Sequence, residues 1–184
     1  MNAPRTNRHT GGYTLVELIV AVGLFAIVMT LASGAYLTMI NTNRQAQATA
    51  TGINNLSFAL EVLTRDIRTG YDFCGADVDA CTTSTFSFRN SGGDIVTYST
   101  SAYESICGGA NACITRTKNR GTQVPLTDPS VSVTGLTFVT QGTATTDDEQ
   151  PRVTIIVKAS VAAGPGKTQS FTIETGGAMR GTDL

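Results

Sequence analysis

The sequence predicts an α+β protein, a long N-terminal helix packed on a mainly antiparallel β-sheet. Three patterns carry that prediction. Residues 18–40 read LIVAVGLFAIVMTLASGAYLTMI, 23 residues without a charge. From Ile53 to Ile67 apolar residues recur every three or four positions, the period of a helix with one buried stripe. After Gly70 the period becomes two, and the residues turn to Thr, Val, Ile and Phe, which suit a pleated, half-buried surface. One helical region followed by one strand-rich region is an α+β arrangement.

The uncharged run would extend about 35 Å as a helix at ~1.5 Å per residue. That exceeds the ~30 Å hydrocarbon core of a bilayer, and Gly23 and Gly34 within it are tolerated in membrane helices. Arg5, Arg8 and His9 precede it. Positive charge there keeps the short N-terminus cytoplasmic and exports the remainder. Residues 41–52, NTNRQAQATATG, are polar and lack proline, so they continue the helix as a solvated stretch or form a flexible stem. Ile53, Leu56, Leu60, Leu63 and Ile67 form the stripe, which Ala59 and Val62 widen. Arg65 and Arg68 followed by Gly70 signal the helix end. One helix over about residues 14–69 is expected, apolar all round in its first half and amphipathic in its second.

Strands are expected at residues 85–88 and 94–99, joined by the turn Asn90-Ser91-Gly92-Gly93. A third is expected at 114–118. Val131 and Val133 alternate out of phase with Leu136 and Phe138, which predicts a bulge at Gly135. Val153, Ile155, Val157 and Val161 share a face, and Gly164-Pro165-Gly166 turns the chain into a last strand at 169–174.

Composition narrows the function. There are 13 basic and 14 acidic residues, and only 15% of residues are charged, against roughly 25% in an average domain. That balance argues against gripping nucleic-acid phosphates as the main task. The one histidine, His9, excludes a Ser-His-Asp set elsewhere and gives no cysteine a base. No Gly-rich phosphate loop is present. An enzyme is not expected, nor is a cofactor.

Glu17 opens the apolar run, and no further charge follows until Arg44. An ionisable group entering a bilayer costs a few kcal/mol or more, so it usually has a partner. The surrounding Gly11-Gly12-Tyr13-Thr14-Leu15-Val16-Glu17-Leu18, behind a short basic leader, resembles the processing site of bacterial type IV pilins and pseudopilins. The resemblance implies that a membrane peptidase cuts after Gly12 and methylates the new amine on Tyr13, and that Glu17 serves assembly. It implies a pilin-like fold divided into a cleaved leader at 1–12, a transmembrane assembly helix at 13–40, its continuation at 41–70 and an exported head at 71–184. Tyr13 stands where phenylalanine is commonest in the family, and Gly34 where many major pilins carry proline. The helix end ALEVLTRDIR and the order of the later strands are similar to the minor pseudopilin J of type II secretion and to minor pilins of type IV pili. The implied function is that of a non-enzymatic filament subunit in the inner membrane, with its head outside the cytoplasm. Its implied partners are other pilins, the prepilin peptidase, the assembly platform and membrane lipid. Losing the leader would leave 11 basic against 14 acidic side chains.

Two alternatives compete. An ordinary signal peptide could be cut near Ser33-Gly34-Ala35, releasing or anchoring a β-rich binding domain, but the apolar run continues to Ile40 and Glu17 is misplaced for it. A DNA-uptake pilus subunit could use Arg116, Lys118 and Arg120, which alternate and would share one strand face.

Cys74, Cys81, Cys107 and Cys113 all follow the helix, in a compartment that permits disulfides. Four cysteines allow three pairings. The nearest-neighbour scheme, Cys74–Cys81 with Cys107–Cys113, is expected. Gaps of six and five residues fall outside usual zinc-ligand spacing, so no metal site is expected. Asp77 with Asp79, and Asp147-Asp148-Glu149, match no calcium-loop spacing and read as solvated loop acids.

Overall fold

The computed structural model describes residues 11–143 and 149–180. The elements in order are α1 (Leu15–Thr69), β1 (Phe86–Arg89), β2 (Ile95–Ser101), α2 (Glu104–Cys107), β3 (Cys113–Lys118), β4 (Gln123–Pro125), β5 (Val131–Gln141), β6 (Arg152–Ala162) and β7 (Thr168–Ala178). The chain divides into two compact units at Asn43/Arg44. The first contains the apolar half of α1. The second contains the rest of α1 and all seven strands.

The strands form two antiparallel sheets, in orders β1-β2-β3-β4 and β5-β6-β7. Sequence patterning predicted antiparallel pairing but not this division. It arises where β5 meets the first sheet through isolated backbone bonds, Val133 N–H to Ala112 O (2.9 Å) and Phe138 N–H to Thr83 O (2.8 Å), rather than through a ladder. The short α2 and β4 were not anticipated, and β7 runs four residues beyond its expected end at Glu174.

Local chemistry explains the turns and the bulge. Asn90 Oδ1 accepts from the backbone of Gly92 (3.0 Å) and Asp94 (2.9 Å), while Gly93 takes a positive φ of 83°. The β5–β6 register shifts between Val133 and Gly135, which puts Val131, Val133, Leu136 and Phe138 all inward.

In the second unit α1 lays Leu56, Ala59, Leu60, Leu63 and Ile67 against both sheets. Each large member of this stripe contributes about 2 kcal/mol by burial. Phe73, Phe86, Phe88, Phe138 and Tyr98 add a run of rings with neighbouring centroids 5.3–6.1 Å apart.

The expected stripe was wrong at Ile53, which is exposed. Gly52 is buried in its place. A Cβ on Gly52 would stand 2.5 Å from Val161 Cγ1, so only glycine lets the helix approach here. Gly70 follows the helix, but φ is not the reason it must be glycine. A Cβ there would lie 2.3 Å from the Phe88 ring.

Gly52 faces Phe171, and Gly177 faces Ile67. Fifteen helical residues and six strand residues both span roughly 20 Å, so β7 runs beside α1 in the same direction.

Candidate assembly site on the N-terminal helix

Gly11, Gly12 and Tyr13 precede α1 without regular structure and are exposed. Thr14 begins the helix. Its carbonyl accepts from Leu18 N–H (3.1 Å), and its Oγ1 accepts from Glu17 N–H (3.2 Å). The first is the opening bond of the helix, and the second forms one half of a capping box. The Thr-x-x-Glu spacing of Thr14-Leu15-Val16-Glu17 announces it in the sequence, although the expectation for Glu17 did not use it. The Glu17 carboxylate stands in the first turn, where negative charge suits the positive end of the helix dipole. Among the described residues it makes no ion pair.

Every large apolar side chain from Leu15 to Met39 is between 50% and 73% exposed. This surface is apolar on all sides, and α1 is long and apolar enough to cross a membrane. The two threonine hydroxyls of this stretch bond within the helix: Thr30 donates to Ala26 O (2.8 Å) and Thr38 to Gly34 O (3.0 Å). Such back-bonding removes the cost of a bare hydroxyl in hydrocarbon. The helix passes Gly34 without a break.

The remaining candidates lie in the second unit. Cys74 is bonded to Cys81, and Cys107 to Cys113, with Cα atoms 5.4 and 5.5 Å apart. Asp79, inside the first loop, accepts from Arg120 Nε (2.6 Å) and Thr97 Oγ1 (2.9 Å). Those bonds, Arg120 first, hold its carboxyl below the usual range. Asp77 contributes its backbone carbonyl to Arg89. Among the described residues no three His, Cys, Asp or Glu side chains converge as a metal site. Asp147 and Asp148 lie outside the described residues.

The basic triplet is not a shared strand face. Arg120 falls in the turn after β3 with a φ of 55°. Each member meets its own aspartate: Arg116 with Asp66 (2.9 Å), Lys118 with Asp94 (2.8 Å) and Arg120 with Asp79 (2.6 Å). Lys118, then Asn119, hold Asp94 below the usual carboxylate range. Asp66 also accepts from the hydroxyl of fully buried Tyr98 (2.7 Å), which staples α1 to the first sheet. Burial, then Asp66, push the Tyr98 phenol well above its ordinary value, so it stays a neutral donor. Sequence reasoning missed this staple because its members lie 32 and 50 positions from Asp66.

Residues 7–33 match the family model of the prokaryotic N-terminal methylation motif. The match covers the end of the basic leader, the Gly12–Tyr13 junction, Glu17 and the first turns of the apolar helix. No curated protein and no solved structure gives a significant match. The motif and the long apolar helix, one among the described residues, fit a membrane-anchored, type IV prepilin-like chain.

Proposed function

We propose that this chain is processed between Gly12 and Tyr13, methylated on Tyr13, and assembled through the first half of α1 as a minor subunit of a type II secretion pseudopilus or type IV pilus. The observation that carries the reading is the coincidence of the methylation motif at 7–33 with a helix whose apolar side chains are exposed on every side. A surface of that kind needs lipid first and neighbouring helices afterwards. Gly11 and Gly12 support the processing step. A Cβ on either would meet nothing within 4 Å, so the folded chain does not itself require glycine there. The exposed stretch without regular structure before the Thr14 cap suits entry into a peptidase cleft.

Glu17 then acts in register. Once helices bundle, a carboxylate without a partner is strongly destabilising. The new amine of Tyr13, on a neighbour or on the same chain, supplies the opposite charge. A subunit at the wrong axial stagger leaves both groups unpaired. On this reading the chain sits in the inner membrane with its head outside, and works with a peptidase, an assembly platform and other pilins. The DNA-uptake alternative loses the triplet that suggested it, because Arg116, Lys118 and Arg120 are each engaged by an aspartate.

Mass spectrometry of the mature N-terminus tests the reading. A chain beginning at methylated Tyr13 is expected. A chain beginning at Tyr36 would identify an ordinary signal peptide and overturn it.

A further inference from the structure

Arg68 at the end of α1, Arg152 at the start of β6 and Arg180 just past β7 line one open cleft of about 590 Å³. No carboxylate lines it among the described residues. Arg152 Nε donates to Gln141 Oε1 (2.6 Å), which among the described residues leaves its terminal nitrogens without a partner, and Arg180 N–H donates to Arg68 O (3.3 Å), holding the two chain segments together. Gln150 closes the rim through a bond to Met179 O. A smaller adjoining cleft of about 280 Å³ shares Arg68 and Arg180. Its one acid, Glu61, is paired with Arg65. Among the described residues none of the three arginines makes an ion pair, whereas each member of the 116–120 triplet does.

The cleft opens at the end of an edge strand. β7 pairs with β6 and, among the described residues, with nothing on its other side. Edge strands are usually blunted by proline, lysine or a bulge. β7, TQSFTIETGGA, has none of these and carries Glu174 as its one charge. At its end toward the arginines Gly176 and Ala178 are exposed and add little side-chain cover, while Gly177 is buried beneath Ile67.

We propose that the arginine cleft and the open edge of β7 form one docking site for an extended, acidic segment of a partner polypeptide. The segment adds a strand to β7 through its backbone and places its carboxylates against Arg68, Arg152 and Arg180, whose planar forks match carboxylates bidentately. Duplex DNA fits less well. Three cations are a small electrostatic footprint on a duplex, whose affinity for protein rests on the number of phosphates neutralised. This inference concerns the head alone and stands apart from processing at Gly12.

The test uses the full chain in detergent micelles and a fluorescein-labelled peptide of alternating Asp and Thr, followed by anisotropy at low and high salt. Salt-sensitive binding is expected, weakened about tenfold by each of Arg68→Gln, Arg152→Gln and Arg180→Gln. Arg152→Lys, which keeps the charge and loses the fork, should fall between wild type and Arg152→Gln. Lys158→Gln and Lys167→Gln, outside the cleft, should leave binding unchanged. Of two peptides methylated at alternate backbone amides, one should lose binding. The proposal is overturned by no binding at low salt, by equal binding of an Asn-Thr peptide, by equal loss in the two lysine variants, by full binding of both methylated peptides, or by a DNA duplex displacing the peptide at lower concentration than unlabelled peptide does.

Discussion

Along the first half of α1, at least half of each large apolar side chain from Leu15 to Met39 is exposed; along the second half, Leu56, Leu60, Leu63 and Ile67 are at most 4% exposed. Both stretches are helical and both are rich in aliphatic residues. The arrangement of those residues separates them, all round in one and a single stripe in the other. Their glycines differ in the same way. A Cβ on Gly23 or Gly34 meets nothing, whereas one on Gly52 meets Val161 and Phe171. The first half has the surface of a component awaiting neighbours, and the second half already has its neighbours in the same chain.

Substitutions in the two halves should therefore fail in different assays. Glu17→Gln should have the largest effect: near-complete loss of incorporation into filaments, with thermal unfolding of the head unchanged. Co-sedimentation with filament subunits measures this, and normal incorporation would remove the register role. Leu63→Ala should lower head stability by about 2–5 kcal/mol, while Leu24→Ala leaves it unaltered. Denaturant titration followed by near-ultraviolet circular dichroism compares the two. Gly52→Ala should cost about 1–3 kcal/mol through overpacking, against no loss of head stability for Gly34→Ala. Equal effects of the two glycine substitutions would erase the contrast between the halves.

The smallest effect is one of pH, and it belongs to the head. Asp79 and Asp94 have carboxyls held below their ordinary value of 3.8 by Arg120 and Lys118 respectively. Because the folded value is depressed, their contribution is fully present above the ordinary value and is lost as pH falls through the folded one. Melting temperature should decline over that acid range. Both Arg120→Gln and Lys118→Gln should flatten the decline, and added salt should weaken it because these pairs lie near the surface.

Much of this architecture was legible because it is periodic. The helix, most of its stripe, the hairpin at Asn90 and the bulge near Gly135 all follow from spacing and turn chemistry. The failures come from partners distant in sequence. Whether Gly52 or Ile53 faces inward depends on Val161 and Phe171, and why Gly70 must be glycine depends on Phe88. The division into two sheets depends on single bonds to Ala112 and Thr83. At the N-terminal site the residues were legible by motif, while the Thr14 cap was written in the spacing and overlooked. The arginine cleft was invisible, because Arg68, Arg152 and Arg180 converge only through folding.

The alignment of β7 with α1 has a mechanical consequence. A pull directed along the helix axis loads the contacts from Gly52–Phe171 to Ile67–Gly177 side by side, in shear. Contacts loaded together must yield together, whereas contacts loaded from one end can peel away in turn. Within the second unit, β7 is thus held to α1 in an orientation that resists traction along that stretch of helix.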